Sequence, residues 1–246
     1  MTLHSRLSPV LSWAVDWWEL WLLIAVGLLG VRLAPHVVVR SEQPTALPDD
    51  VAHAVERAGV PADRVGVLQR DGRVLAYAAG LTAGHGRVFV STALLRELDA
   101  AAAAAVVRHE YAHLARGHVP IRVGIPCAYA VAWAVDATLF GREGLIIGAA
   151  LAIPLAYLSM RVARWTEYDA DADAARRTGS SFRTALSRLA AGGHLGPTNP
   201  TGGRLRRLLR SVSMHPPLET RLRRLDDPHK SAADGGPRAG VARSDD

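Results

Sequence analysis

Two long apolar stretches separated by only three residues constrain this chain more than any other feature. Residues 123–140 and 144–162 are each about the length a helix needs to cross the ~30 Å hydrocarbon core of a bilayer. Only Gly141-Arg142-Glu143 lies between them. So short a connection makes the two helices antiparallel neighbours, and the pair reads as a hairpin dipping through a membrane. The rival is a buried hairpin in a soluble core; the complete absence of charge from Gly144 to Met160 favours the membrane. Asp136 falls one turn before Gly141, where it can reach the interface or pair with Arg142.

A further apolar segment runs from about Trp13 to Ala34 and is expected to stop before Pro35. Trp13, Trp17, Trp18 and Trp21 gather at its start as an interfacial aromatic belt would. Its uncharged core, Leu20 to Val31, is short, so Asp16, Glu19 and Arg32 belong near the interfaces. A signal peptide is the rival reading; acidic residues before the core and no clear small-residue cleavage site after it argue against one. Arg32, Arg40, Arg116, Arg122, Arg161 and Arg164 flank the segments on one side. Arg6 and Arg142 lie on the other, offset by Asp16, Glu19 and Glu143. The positive-inside tendency then predicts a multi-pass plasma-membrane protein with an external N-terminus. Residues 41–118 and 163–246 face the cytoplasm.

The expected organisation is an N-terminal transmembrane anchor (1–40) and a cytoplasmic domain in two parts (41–118 and 163–225), interrupted by the membrane hairpin (119–162). A disordered, polar tail (226–246) follows. In the first part, Asp49 to Ala58 reads as a short amphipathic helix. Val65 to Leu68 and Val74 to Ala78 read as strands joined by a hairpin turn at Asp71-Gly72, and Arg87 to Ser91 as another strand. Asp99 is placed as the N-cap of an Ala-rich helix ending near Gly117. After the membrane hairpin, Arg164 to Thr178, 182–191 and 204–212 read as helices. The class is α+β, mostly helical.

The Ala-rich helix carries His109-Glu110-Tyr111-Ala112-His113, an H-E-x-x-H sequence. Residues four apart share a helix face, so both imidazoles can reach one Zn²⁺ and Glu110 can reach water beside it. A metal brings the pKa of such water towards ~7, and a carboxylate can then take its proton during attack on a peptide carbonyl. The bland alternative is two histidines on a helix surface. Cys127 is the only cysteine, which excludes a disulfide framework and a Cys-based zinc site; a metal here needs His and carboxylates.

A catalytic zinc site usually takes three protein ligands. His118, five residues after His113, points to a different helix face and fails as the third. Glu167 is the better candidate, with Asp171 one turn further on the same face, where it can accept an imidazole N–H. The alternative for this stretch is a solvated acidic face paired with Arg164 and Arg176. Asp169 and Asp173 lie off the Glu167 face and are expected to be plain surface charges.

The order of H-E-x-x-H, membrane hairpin, Glu167-Tyr168-Asp169-Ala170-Asp171 and His215-Pro216-Pro217-Leu218-Glu219-Thr220-Arg221 resembles the M48 family of membrane metallopeptidases, HtpX-like and Ste24-like. Leu75-Ala76-Tyr77-Ala78-Ala79-Gly80 is similar to that family's N-A-F-A-x-G segment, with Leu75 where Asn is usual. The resemblance covers roughly Val65 to Leu225. It implies a gluzincin-like domain with one Zn²⁺ per chain held by His109, His113 and Glu167, and Glu110 as general base and acid. It also implies that His215 and Arg221 line the site and steady the oxyanion. From the residues alone, His215 reads equally well as a helix-start residue before Pro216-Pro217.

The expected partners are a protein or peptide substrate and the lipid bilayer. The net charge of +6 is almost all arginine. Its densest run (Arg204, Arg206, Arg207, Arg210, then Arg221, Arg223 and Arg224) has no interleaved aromatics for base stacking, so anionic lipid explains it better than nucleic acid. The leading expectation is a zinc-dependent endopeptidase, in membrane or misfolded protein turnover. A membrane sensor-transducer peptidase is the same-fold rival, and it needs a larger external segment than the sequence offers. A non-catalytic basic membrane scaffold is the rival from another class.

Overall fold

The computed structural model describes residues 17–194 and 216–226. His215, the helix expected at 204–212 and the 226–246 tail past Asp226 lie outside the described residues.

Helix α1 spans Trp18–Glu42. It does not stop before Pro35 as the sequence suggested: Pro35 sits inside it and is buried. The reason is tertiary. Ala34 and Val38, either side of that proline, pack on Leu68, Ala79 and Phe89 of a small sheet, and this packing offsets the hydrogen bond a mid-helix proline removes. Helix α2, Asp49–Arg57, then leads through a 3-10 turn at Ala62–Arg64 into the sheet.

The sheet comprises β1 (Val65–Leu68), β2 (Ala76–Ala79) and β3 (Arg87–Ser91) in the order β1-β3-β2. β1 and β3 are parallel and β2 is antiparallel to β3. The expected direct hairpin between β1 and β2 around Asp71-Gly72 is therefore corrected: β3 lies between them. Alternation along the strands explains the preference. Val65, Val67, Val88 and Val90 face one core, while Leu68 and Phe89 face the α1 side. A central β3 presents apolar residues to both layers, and all of β1 is buried.

Helix α3 (Thr92–Glu97) is capped by Ser91, whose side chain accepts from the Leu94 N–H. Helix α4, Ala100–Ala115, is capped by Asp99, whose Oδ1 accepts from the Ala102 N–H at 2.9 Å. Ala102 to Ala105 in the alanine run of α4 are buried. Small side chains let α2 and two later helices approach this central helix from several directions.

Helix α5, His118–Phe140, follows Gly117, whose φ of +70° suits glycine. Helix α6, Arg142–Thr178, is 37 residues long. It fuses the expected third membrane segment with the polar helix beyond it, since no helix-breaking residue separates Val162 from Arg164. α5 and α6 form the hairpin, and close approach is built in: a Cβ on Gly144 would overlap the Asp136 backbone, and one on Gly148 the Trp133 indole. The Tyr129 hydroxyl donates to the Gly148 carbonyl at 2.5 Å. α7 (Ser180–Ala191) and α8 (Leu218–Asp226) pack back on α4 and α6.

Helices α1, α5 and α6 are long and apolar enough to cross a membrane. Their large apolar side chains, among them Leu23, Leu139, Ile146 and Ile153, face outward. At one end, Trp17 donates its indole N–H to Thr138, beside the 141–143 turn. At the other, α1 packs on the sheet, and α5 and α6 pack on α4.

Candidate metal centre

His109 and His113 project from one face of α4 with ring centroids 5.1 Å apart and planes nearly perpendicular. Both are buried in spite of their polarity. Phe182 of α7 stacks on His109, centroid to centroid 5.6 Å, and limits its rotation. Glu167 of α6 is 2 % exposed and faces the pair. Its Oε1 lies 3.4 Å from His113 Nε2 and its Oε2 lies 3.8 Å from His109 Nε2. One donor atom from each residue falls within 4.8 Å of the other two.

That donor set fits a divalent metal. Two imidazole nitrogens and one carboxylate converge from two helices in a buried setting, the three-ligand pattern that leaves a fourth position open. His113 is held to a pKa of about 3, chiefly by burial and then by the His109 charge, so its neutral, ligand-ready form prevails near neutral pH.

Asp171, one turn beyond Glu167, has Oδ1 2.9 Å from His109 Nδ1, although the ring is turned away from good hydrogen-bond alignment. Burial lowers the His109 pKa, but Asp171 outweighs it and the net shift is upward. Arg221 of α8 grips Asp171 with two parallel contacts, Nε to Oδ2 at 2.7 Å and Nη2 to Oδ1 at 2.5 Å. The described partner of this guanidinium is thus a carboxylate behind His109, and Arg221 also lines the adjoining cavity.

Glu110 lies beside His109 with part of its surface on that cavity. Its Oε2 accepts the Ala78 N–H of β2 at 3.2 Å. Desolvation by the surrounding protein raises its pKa, opposed by His109 and supported by nearby Glu167. The cavity holds about 570 Å³. Polar groups from His109, Glu110, Glu167 and Arg221 meet an apolar wall that includes Leu94, Val106, Phe182 and Leu186.

Two expectations are corrected. Asp169 and Asp173 are not plain surface charges. Asp173 is buried against Arg108, Nε to Oδ2 at 2.7 Å, and Asp169 accepts from Arg116 at 2.8 Å and contacts His118. α4 and other elements cover the helix flank that spacing alone leaves open to water. The sequence reading also missed Arg122, which donates to Glu167 Oε1 at 2.7 Å. An arginine at the start of an otherwise apolar helix was the available signal. His118, set aside as a ligand, lies behind His113 and outside the three-residue donor group.

The sequence model of Peptidase family M48 matches residues 41–229. The chain belongs to this family. It is 30% identical over 213 residues to a protease HtpX homolog of Leptothrix cholodnii, covering 73% of this chain and 70% of that one. It is 31% identical over 220 residues to protease HtpX of Xanthomonas axonopodis, covering 76% and 74%. The fold is similar to that of Ste24p from S. mikatae, with TM-score 0.64 and 22% identity over 85% of this chain and 57% of that one. The chain is an M48 membrane peptidase with a mostly helical fold and a small sheet.

Proposed function

We propose that this chain is a membrane-anchored zinc endopeptidase working on the cytoplasmic side of the plasma membrane. The observation that carries the reading is the convergence of three buried donors, from His109, His113 and Glu167, next to the Glu110 carboxylate. His109 and His113 would present Nε2, and Glu167 a carboxylate oxygen, to one Zn²⁺ per chain. When bound, the metal supplies Lewis acidity to water and to the scissile carbonyl.

The remaining work falls to the protein's own groups. Glu110 takes the proton from the attacking water and delivers it to the leaving amine; its raised pKa suits a group that must carry a proton between the two steps. Asp171 steadies His109 through Nδ1, and Arg221 holds Asp171, so Arg221 acts first as a positioning residue. An oxyanion role for His215 is proposed on the family resemblance alone. β2 is an edge strand beside Glu110, and an extended peptide can align along it. The apolar cavity wall favours bulky apolar substrate side chains. Protein or peptide substrates in the turnover of membrane or misfolded proteins fit this site, given the HtpX relatives.

Glu110→Gln tests the reading in detergent-purified protein assayed on an unfolded protein substrate. Full zinc occupancy with activity down by ~10²–10⁴-fold supports it. Wild-type cleavage by the fully loaded variant removes Glu110 from the mechanism.

A further inference from the structure

Two polar side chains at the start of the membrane hairpin have no part in the chemistry above. His118 is the first residue of α5, and Arg122 follows one turn later on the same face. Gly117, in the left-handed region, ends α4 and redirects the chain. Spacing along one continuous helix therefore leaves His118 out of the donor group, as the structure does, but misses where its ring lies. The chain folds back and places it behind His113.

His118 is 1 % exposed. Its Nδ1 lies 3.1 Å from His113 Nδ1, and its Nε2 lies 2.9 Å from Asp169 Oδ2. Arg116 holds Asp169 from the other side, and Trp165 packs edge-on against the His118 ring. Arg122 makes three contacts on α6: Nε to Thr166 Oγ1 at 2.7 Å, Nη2 to the Ala163 carbonyl at 3.0 Å and Nη2 to Glu167 Oε1 at 2.7 Å.

We infer that the first turns of the membrane hairpin are a built part of the metal site, with His118 and Arg122 as positioning residues that hold His113 and Glu167. This rests on the proposed ligand set. If His113 offers the Nε2 lone pair, its Nδ1 carries the proton and needs an acceptor in this buried place. His118 Nδ1 is that acceptor, which puts the second proton on His118 Nε2, directed at Asp169. The order His113 to His118 to Asp169 leaves a single consistent set of tautomers, and it fixes the plane of the His113 ring. Arg122 does the matching work for Glu167. It occupies one carboxylate oxygen, balances the buried charge and restricts the side chain's rotation. The hairpin thus holds two of the three donors as well as anchoring the domain.

The test uses full-length protein in lipid nanodiscs, with zinc affinity read by chelator competition and site geometry by the visible absorption of Co²⁺-loaded protein. His118→Leu should weaken zinc binding by ~10–100-fold and alter the Co²⁺ bands. His118→Gln, whose amide can accept and donate, should recover most of that loss. Arg122→Gln should weaken binding by a similar factor, and Asp169→Asn should act through the same chain, non-additively with His118→Leu. His109→Ala separates the two levels of the proposal. If it binds zinc like the wild type, the ligand set itself is wrong. If it loses zinc while folded His118→Leu and Arg122→Gln bind within twofold of wild type with unchanged Co²⁺ spectra, only the positioning role is overturned. Should His118→Leu fail to fold, Asp169→Asn and Arg122→Gln decide by the same criteria.

Discussion

Arg108 of α4 and Asp173 of α6 form a buried ion pair between residues 65 apart in sequence, with the whole membrane hairpin looped out between them. Arg108 also donates to the Gly59 carbonyl at 3.1 Å and sits over the Tyr111 ring. Asp173 has Arg176 and Arg116 within 4 Å. The pair joins the two halves of the domain immediately beside the helix that carries His109.

Asp173→Ala removes a buried carboxylate and leaves the Arg108 charge uncompensated. Breaking a buried pair in this way costs ~3–5 kcal/mol, so a large drop in melting temperature in detergent is expected. Replacing both residues with apolar ones of similar size should restore much of the stability. An unchanged melting temperature in Asp173→Ala would show that Arg108 is adequately held by Gly59 and Tyr111.

Local spacing explains what could be read ahead of the structure. Residues 109 and 113, and 167 and 171, share faces because each pair lies on one unbroken helix. The Asp99 cap, the short strands and the apolar hairpin are equally local signals. The β1-β3-β2 order is different: Asp71-Gly72 favours a direct hairpin, and only the two-sided burial of Val88, Phe89 and Val90 explains why β3 takes the centre. Pro35 marks a helix end locally but is overridden by packing on Phe89 and Ala79. Asp169 and Asp173 find Arg116 and Arg108 across the fold, and His118 and Arg122 reach their partners through a chain reversal at Gly117; no periodicity encodes either.

The Asp171–Arg221 contact predicts a separation between affinity and turnover. Asp171→Asn keeps the shape but loses the charge facing His109 and Arg221, and zinc affinity should fall by ~10–100-fold. Arg221→Lys keeps a positive charge but cannot reproduce two parallel contacts, so it should lower zinc affinity as well. Turnover reduced in Arg221→Lys with zinc affinity untouched would instead assign Arg221 to the substrate side of the cavity.

Glycines in the membrane helices should differ sharply by position. Gly148→Leu places a side chain where the Trp133 indole lies, and overpacking of this kind costs ~1–3 kcal/mol. Gly27→Leu in α1 meets nothing within 4 Å and should be silent. Thermal unfolding of the two variants in the same detergent makes the comparison, and equal stability would mean that α5 and α6 do not pack at Gly148.

The last prediction concerns orientation. Glu42 at the end of α1, His118 at the start of α5 and the polar stretch of α6 beyond Val162 all lie at the end of the bundle that carries the donors. Trp17 and Thr138 pair at the opposite end, next to Gly141. Whichever way the bundle inserts, residues 40 and 163 therefore share a side, and the 141–143 turn lies on the other. Arg32, Arg40, Arg116, Arg122, Arg161 and Arg164 cluster towards the donor end, so the positive-inside tendency predicts that this end faces the cytoplasm. Single cysteines at 40 and 142, in a Cys127→Ser background and probed with a membrane-impermeant maleimide in intact cells, should label at 142 only. Labelling at 40 but not at 142 would invert the topology and move the donor cluster to the outer face. Protection at both positions until the cells are lysed would mean that the 141–143 turn does not emerge, and that the hairpin enters the bilayer without crossing it.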